Sequence, residues 1–541
     1  MFNNSMKIAA GVVMSAAIGW GGAATMSVAG GHSNIKKGGV LDFVVPAEPP
    51  SFDGHRETTF ALVHPIAPFY STLIRVNPDN PSSPTDIVCD LCTEMPTPTD
   101  GGKKYTFTLK KGVTFHDGSP LTAQDVKATF DKIIFPPEGV ASARKGFYSY
   151  VKSVSAPDDQ TIVFELEYPT SAFIPALAAP FNFIYQKVKL DQDIRWYEKN
   201  VLGSGPFMNM DRQPGAYIAG VKNPNYYHDG KPYLDGFKAT FAKKQSLRVQ
   251  AIRGGRAMAE FRGFPPKSRD DLVNALGDGI TVQESDWNCV LLVTPNHKSK
   301  PMDDARVRRA LTLAVDRWGG SEYLSKIAIV KTVGGIVFPS HPLAATKEEL
   351  EKIPGYWPDL KKSREEAKRL LKEAGHENLK ITMNNRAVDQ PYKIVGTWLI
   401  GQWKEIGVEV EQRVQPTGPF YATLRKKKDF DISIDFNCQT VVNPLADTSK
   451  FISEDVGSSQ HGQFIDRKSD DYFNRINRET DPAKQRALMR EWEMYHLGEQ
   501  ANSFITLWWY RIIPHSSKMK GWKISPSHYL NQDLSNIWLD Q

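Results

Sequence analysis

The sequence lacks several features that membrane-spanning and nucleic-acid-binding proteins share. After its first residues, no window offers the ~20 consecutive apolar residues that a membrane-spanning helix needs, and no internal repeat occurs. Positive charge is in small excess, because the chain has 67 Lys and Arg residues and 61 Asp and Glu residues, which gives a net charge of +6. The densest basic group, residues 425–428, lies beside Asp429 and Asp431. A phosphate-binding face needs clustered cations, so we expect no nucleic-acid partner.

Signatures of catalysis and metal binding are also missing from the sequence. It contains no nucleophile elbow, no His-Glu-x-x-His helix and no phosphate-binding Gly-Lys loop. The 12 histidines are dispersed and show no ligand spacing. We therefore predict no catalytic residue, no metal site and no cofactor, although hydrolysis by scattered residues stays open as an alternative.

The N-terminal segment has the parts of a secretory signal peptide. A charge at Lys7 precedes an apolar run at residues 8–20, and small residues follow, with Ser27 and Ala29 spaced like a signal-peptidase site. No cysteine precedes Cys89, so the segment offers no thiol for lipid attachment. We predict a signal peptide at residues 1–29 and a freely diffusing periplasmic protein.

Cysteine is scarce, with only four in the chain. Cys89 and Cys92 form a Cys-x-x-Cys pair, whereas Cys289 and Cys438 are isolated, so a zinc knuckle lacks its second close pair of ligands. A thiol-exchange motif is a further alternative, but Cys89 does not lie at a helix start that would lower its pKa. In an exported protein we predict two structural disulfides, Cys89 to Cys92 and Cys289 to Cys438.

Hydrophobic periodicity in the first half predicts strands followed by a helix. Residues 105–109 alternate apolar with polar, residues 113–115 repeat that pattern, and residues 116–120 read as a turn. Thr122 caps a predicted helix with Asp125 in its first turn, and residues 162–166 form another predicted strand.

The second half adds helices that alternate with strands. Helices are predicted after Asp304, from a capping box of Ser363 and Glu366, over residues 392–406 and over residues 481–498. Strands are predicted at residues 408–412 and 504–513. The pattern predicts α/β lobes with buried sheets, and about 510 residues after the signal peptide suffice for two or three domains.

The stretch at residues 109–130 reads LKKGVTFHDGSPLTAQDVKATF and closely resembles the signature of one family. This is the extracellular solute-binding protein family 5, the periplasmic oligopeptide-, dipeptide- and nickel-binding components of ABC importers. Further matches follow in the family's order: PPSFDGH at 49–55, GSGPF at 203–207, NPNYY at 223–227 and DDARVRRALTLAVDR at 303–317. The resemblance covers essentially the whole chain after the signal peptide.

The resemblance implies an α/β fold with two lobes, the Venus flytrap of periplasmic binding proteins (type II, cluster C), and an additional inserted domain. Lobe I would comprise residues 30–69, 190–288 and 509–541, the accessory domain II residues 70–189, and lobe III residues 289–508. Two crossing segments would form the hinge. Oligopeptide binders of the family carry a disulfide in the second lobe, where Cys289 and Cys438 are expected.

The resemblance also suggests ligand-binding residues. Thr59 and Phe60 fall where the first lobe lines the cleft, with an ordinary surface loop as the alternative. Trp287 at one hinge crossing, and Trp508 and Trp509 at the other, are candidate aromatic walls, although large aromatics fill cores equally often. The planar fork of Arg386 suits a ligand carboxylate, with a surface arginine as the alternative.

One position departs from the peptide binders of the family. These hold the ligand's amino terminus with an acidic residue shortly after the position of Cys438, where this chain reads CQTVVNP and has Thr440. A neutral hydroxyl cannot supply the charge that a desolvated ammonium needs. Generic peptide binding is therefore in doubt, unless Asp435 or Asp447 compensates.

The predicted function is that of a solute-binding protein and not of an enzyme. It would capture a small ligand, a peptide or a related amino-acid-derived solute, and deliver it to an inner-membrane ABC permease. Because the chain has no nucleotide-binding loop, the ATPase must be a separate subunit. We expect a monomer. The alternatives are an opine, a glycoside or a metal chelate as cargo, a chemosensory adaptor, and, less favoured, a periplasmic hydrolase.

Overall fold

The structure is a computed structural model that describes residues 35–541 except residue 84, residues 439–447, residue 449 and residues 457–459. Contacts separate Met1–Ile35, of which only residue 35 is described, from one compact unit, Lys36–Gln541. The predicted signal peptide and the residues Thr440 and Asp447 therefore lie outside the described residues.

Strands occur throughout the compact unit and give it several sheets. In chain order they are β1 (Val40–Val45), β2 (Ile74–Val76), β3 (Ile87–Cys89), β4 (Lys104–Thr108), β5 (Val151–Ser155), β6 (Thr161–Leu166), β7 (Phe207–Gln213), β8 (Tyr217–Lys222), β9 (Gly236–Phe241), β10 (Ile280–Pro295), β11 (Val330–Thr332), β12 (Lys380–Arg386), β13 (Glu409–Gln415), β14 (Ile432–Cys438), β15 (Phe504–Ser516), β16 (Met519–Lys520) and β17 (Trp538–Leu539). β10 and β15 are much longer than the rest.

Helices connect these strands and cover the sheets. In chain order they are α1 (Phe60–Ile66), α2 (Ala123–Ile134), α3 (Phe173–Leu177), α4 (Lys187–Gln192), α5 (Gln245–Arg253), α6 (Pro266–Leu276), α7 (Ala305–Leu313), α8 (Arg317–Leu324), α9 (Lys347–Leu350), α10 (Leu360–Glu373), α11 (Ile394–Lys404), α12 (Thr417–Ala422), α13 (Arg467–Arg478) and α14 (Pro482–Glu493). Within the part of the chain that the structure describes, no helix is long and apolar enough to cross a membrane. The mixture confirms the predicted α/β class.

Three sheets organise the compact unit. A four-stranded sheet has the order β1-β9-β8-β7, and we call the region around it the first lobe. A six-stranded sheet has the order β11-β15-β10-β14-β12-β13 and defines the second lobe. The three-stranded sheet β4-β6-β5 packs with α2 and forms an accessory region. The exact domain boundaries given above remain predictions.

β10 and β15 link the two lobes. Within the second lobe, residues 289–295 of β10 pair with β14, while residues 280–287 pair only with residues 509–516 of β15. The far end of β15 reaches the first lobe, where the Ser516 amide donates to the Met258 carbonyl at 2.7 Å and Phe264 donates to Ile512 at 2.9 Å. A register shift after Trp287 marks the point where the paired strands leave the second lobe.

Polar side chains cap the helices as the sequence predicts. The Asp304 carboxylate accepts from Arg306 N at 2.8 Å, and Asp481 accepts from Ala483 N at 2.8 Å. At α2 the Asp125 carboxylate accepts from Thr122 N at 2.8 Å, and its other oxygen accepts from Lys187 N at 2.8 Å. Asp125 therefore fixes the starts of both α2 and α4.

Two local predictions are wrong. α10 begins at Leu360, because Asp359 caps it by accepting from Lys362 N at 3.0 Å; Ser363 lies inside the helix and donates to the Leu313 carbonyl at 2.7 Å. Residues 113–115 form no strand, because the turn at 116–120 folds them back, and Leu121 N donates to Val113 O at 2.9 Å. The sequence therefore predicts the turn at 116–120 correctly but wrongly predicts a strand at 113–115.

The GSGPF motif holds the first lobe against the accessory region. His116 donates through Nε2 to the Gly205 carbonyl at 3.1 Å, and its amide donates to Gly203 O at 2.8 Å. A Cβ on Gly205 would lie 2.4 Å from the Tyr70 nitrogen, and one on Gly203 would lie 2.0 Å from the Phe69 oxygen. Only glycine permits this close approach.

Both disulfides have the predicted pairing, Cys89 with Cys92 and Cys289 with Cys438. The second joins β10 to β14 at residues that face each other in the antiparallel register. It therefore ties together the strands that carry Trp287 and Phe436, which are both near the candidate site.

Candidate functional site

Two tryptophans meet where β10 and β15 pass from one lobe to the other. Trp287 and Trp509 are opposite in register, and their rings pack edge to face with centroids 5.2 Å apart. Trp287 is fully buried, and its indole N–H donates to His528 Nδ1 at 2.9 Å. A residue from the C-terminal segment thus fixes the orientation of the Trp287 ring.

His528 must be neutral at Nδ1 to accept this hydrogen bond. Burial, together with the nearby charges of Arg511 and Arg262, holds the pKa of His528 well below its usual value. His64 of α1 also contacts His528, since the His64 Nε2 donates to the His528 carbonyl at 2.8 Å. The two histidines therefore act as fixed polar contacts and not as charges at neutral pH.

An arginine of the first lobe lies over this tryptophan. The Arg262 guanidinium carbon is 5.2 Å from the Phe60 ring centroid and 5.5 Å from the Trp287 ring centroid. Glu260 fixes the backbone here by accepting from Arg262 N at 2.7 Å. Burial lowers the pKa of Arg262, Glu260 and Tyr392 oppose this shift, and Arg248 and Arg386 lower the pKa further. The guanidinium is thus held between two aromatic rings.

The second lobe continues the same cluster. Tyr392 lies 6.1 Å from the Trp509 ring, and the Arg386 guanidinium, at the end of β12, lies 5.5 Å from the rings of both Tyr392 and Tyr421. Burial raises the pKa of Tyr392 and keeps its hydroxyl protonated. We call Phe60, Arg262, Trp287, Arg386, Tyr392 and Trp509 the interlobe cluster.

The buried carboxylate on the second-lobe side of the cluster has a cationic partner. Asp435 of β14 is buried, and its Oδ2 pairs with Lys450 Nζ at 2.5 Å. Lys450 lies 5.0 Å from the Phe436 ring, which in turn lies 6.4 Å from Trp509. Lys450 and His461 hold the pKa of Asp435 below its usual value despite burial. Asp435 therefore adds no net negative charge to this side of the cluster.

Four of the candidate residues from the sequence lie in the interlobe cluster: Phe60, Trp287, Arg386 and Trp509. Thr59 is their neighbour and caps α1, since its Oγ1 accepts from Ala61 N at 3.2 Å. Trp508 points to the opposite face of β15, where it is fully buried against Phe338 and donates to Gly335 O at 3.1 Å.

Arg262 and Tyr392 complete the cluster but were not among the candidate residues. Arg262 lies in the loop FRGFPP, and no periodic pattern singles it out. The only sequence signal for it is an arginine between phenylalanines in a Gly- and Pro-containing loop. Among the residues that the structure describes, no cluster of His, Cys, Asp and Glu is arranged to hold a metal ion.

Comparison with known proteins identifies a family and relatives that this chain resembles. Residues 86–458 match the family model of the bacterial extracellular solute-binding proteins, family 5 Middle. A probable D,D-dipeptide-binding periplasmic protein, DdpA of Escherichia coli, is 31% identical over 259 residues, 47% of this chain. The match spans about half the length of that relative, 48%.

Solved structures of remote relatives share the fold. The periplasmic binding protein DppA from Helicobacter pylori, solved with the peptide STSA, superposes with a TM-score of 0.76 at 23% identity and covers 94% of this chain and 99% of its own. AgaA from A. tumefaciens R10, solved with agropinic acid, gives a TM-score of 0.76 at 20% identity and covers 93% and 99%. The predicted two-lobed binding-protein fold is therefore confirmed. Together with the family match over most of its length, this fold shows that the chain belongs to the bacterial extracellular solute-binding proteins, family 5.

Proposed function

We propose that this protein captures a small solute between its two lobes in the periplasm and delivers it to an inner-membrane ABC permease with a separate ATPase subunit. The interlobe cluster carries the proposal, because it combines aromatic rings and cations from both lobes at the point where the connecting strands cross. A predicted signal peptide at residues 1–29 supports export, and the absence of a nucleotide-binding loop in the sequence supports a separate ATPase.

The mechanism follows from the two-lobed arrangement. Solute entering an open cleft would touch one lobe first, and only closure would bring side chains of both lobes to it together. A ligand that gains contacts only in the closed form shifts the population toward that form. The permease would then recognise the closed protein, which acts as a monomeric carrier without catalysis.

Two classes of cargo are considered: peptides and other small solutes. Relatives are named for D,D-dipeptides, and a structural neighbour was solved with agropinic acid. The described part of the cluster contributes cations and neutral donors, which suits the carboxylate end of a peptide and of other amino-acid-derived acids alike. We therefore propose an amino-acid-derived solute as the cargo. A ligand screen distinguishes peptides from other solutes.

A ligand screen tests the proposal. The purified protein is unfolded and refolded to release bound solute, and its melting temperature is measured with peptides, amino-acid derivatives, sugars and nickel chelates. A ligand that binds only the folded state raises the melting temperature. Deletion of the gene should abolish uptake of the same compound. Turnover of that compound would indicate an enzyme, and normal uptake after deletion would favour a chemosensory adaptor.

A further inference from the structure

Buried polar contacts attach the accessory region to the first lobe. The Lys132 ammonium of α2 contacts the Asp53 carboxylate at 2.5 Å, and both side chains are almost completely buried. Arg144, which is also buried, donates to the carbonyl oxygens of Gly54 at 2.9 Å and of Glu57 at 2.7 Å. Separating these groups would leave buried charges without partners, which is costly. We therefore expect the accessory region and the first lobe to move as one body.

Weaker polar contacts join the accessory region to the second lobe. Just before α3, the Ser171 hydroxyl accepts from Gln485 Nε2 of α14 at 3.2 Å. The ring centroid of Tyr168 lies 4.9 Å from the guanidinium carbon of Arg478, the last residue of α13. Ser171 and Arg478 are both exposed. A neutral hydrogen bond and an exposed cation–π contact each stabilise much less than a buried ion pair does, so these contacts can break and form again.

Apolar packing accompanies these weaker contacts. Buried apolar residues of the accessory region and of the second lobe form one continuous core, which includes Phe173 and Leu177 of α3 together with Ile476 of α13 and Met489 of α14. The first lobe has a separate core around β1. Apolar surfaces attract each other without directional bonds, so they can separate without leaving a charge unpaired. The accessory region is thus attached to the first lobe by polar groups and rests on the second lobe through an apolar face.

We propose, on the basis of the solute-binding function above, that the accessory region moves with the first lobe and acts as a docking face for α13 and α14 of the second lobe. The contact is made in the lobe arrangement of the structure and is lost when α13 and α14 move away. Because only one lobe arrangement contains this contact, the contact favours that arrangement whether or not solute is bound. The accessory region thereby takes part in the movement between the lobes.

Distances between pairs of spin labels test this inference in the protein after refolding has released bound solute. All four native cysteines are disulfide-bonded, so introduced cysteines carry the labels. Lys152→Cys in β5, Arg253→Cys in α5 and Lys368→Cys in α10 place exposed labels on the accessory region, the first lobe and the second lobe. We expect one distance between labels 152 and 253. Labels 152 and 368 should show two populations, one of them at the spacing of the structure.

Tyr168→Ala combined with Ser171→Ala removes the polar contacts from the accessory side. The ratio of the population at the spacing of the structure to the separated population should fall by about fivefold to tenfold, as is typical for the loss of one hydrogen bond and one cation–π contact. Arg478→Ala should act as Tyr168→Ala does, and the two together should add little, since both remove the same contact. Glu167→Ala, an exposed neighbour, is the control and should match the wild type. The melting temperature of each variant verifies folding.

The outcomes separate this inference from the proposed function. If the distance between labels 152 and 253 varies while that between labels 152 and 368 stays fixed, the accessory region moves with the second lobe and the inference is wrong. It is also wrong if the combined variant keeps the wild-type distribution of distances. Solute binding stands in both cases. If no compound raises the melting temperature and the denatured protein releases none by mass spectrometry, the solute-binding function itself is contradicted.

Discussion

A single buried ion pair joins the first lobe to the accessory region. Lys132 of α2 contacts the Asp53 carboxylate at 2.5 Å, and both side chains are almost completely buried, at 1% and 3% exposure. Asp53 also accepts from His55 N at 2.9 Å and from the Tyr185 hydroxyl at 3.1 Å. Asp53 belongs to the PPSFDGH motif, so this motif has a structural role at the junction.

Lys132→Met should destabilise the protein by about 3 to 5 kcal/mol, because it leaves the Asp53 carboxylate buried without a counter-ion. Urea unfolding measures the change. Lys127→Met on the same helix is the control: Lys127 pairs with Asp131 at the surface, with 36% and 37% exposure, and should cost less than about 0.5 kcal/mol. Equal losses for the two variants would contradict a special role for the buried pair.

At the scale of strands and helices, the two disulfides close loops of very different length. Cys289 and Cys438 are 149 residues apart and join β10 to β14, whereas Cys89 and Cys92 are separated by 3. A cross-link stabilises mainly by restricting the unfolded chain, and this effect grows with the size of the loop.

Replacing Cys289 and Cys438 together by serine should lower the free energy of unfolding by about 5 kcal/mol, against about 2 kcal/mol for replacing Cys89 and Cys92. Denaturant unfolding of the two double variants, each against the oxidised wild type, makes the comparison. A larger loss from the Cys89 and Cys92 pair would show that local strain and not loop length decides.

The elements that sequence rules predicted are those whose signals are local. Asp304 and Asp481 cap helices because a carboxylate satisfies free amides within the next two or three residues, wherever the helix later packs. The prediction at Ser363 is wrong because two candidate caps lie four residues apart and Asp359 comes first. Residues 113–115 alternate like a strand, but the turn that follows brings Leu121 N to Val113 O, and no strand forms.

On the scale of the whole molecule, the candidate site could be predicted only in part. Phe60, Trp287, Trp509 and Arg386 followed from a family resemblance, whereas Arg262 and Tyr392 required the crossing of β10 and β15 to be known. These residues are up to several hundred positions apart, and no local pattern links them. Charge balance across the cluster likewise depends on the pairing of Asp435 with Lys450, which is a tertiary contact.

Stability of the whole molecule should depend on pH through its buried histidines. Burial lowers the pKa of His55, His64 and His496 to about 3 each. In the unfolded chain a histidine takes up a proton below about pH 6.5, whereas these three in the folded protein stay neutral. Their contribution to stability is therefore complete above pH 6.5 and is lost as the pH falls toward 3.

We expect a lower melting temperature at pH 5.0 than at pH 7.5, since each of the three histidines costs up to about 2 kcal/mol over this interval. Differential scanning calorimetry at the two pH values measures the change. Burial lowers the pKa of His297, His341 and His528 as well, so His496→Gln should reduce the dependence by about a sixth. A melting temperature that stays constant or rises at pH 5.0 would show that other groups outweigh these histidines.

The most direct test of solute recognition between the lobes is a crystal structure of the protein with the compound that binds most tightly in the ligand screen. We predict a ligand that contacts both lobes and lies against the aromatic rings of the interlobe cluster. A ligand bound to one lobe only, or away from these rings, would contradict this assignment.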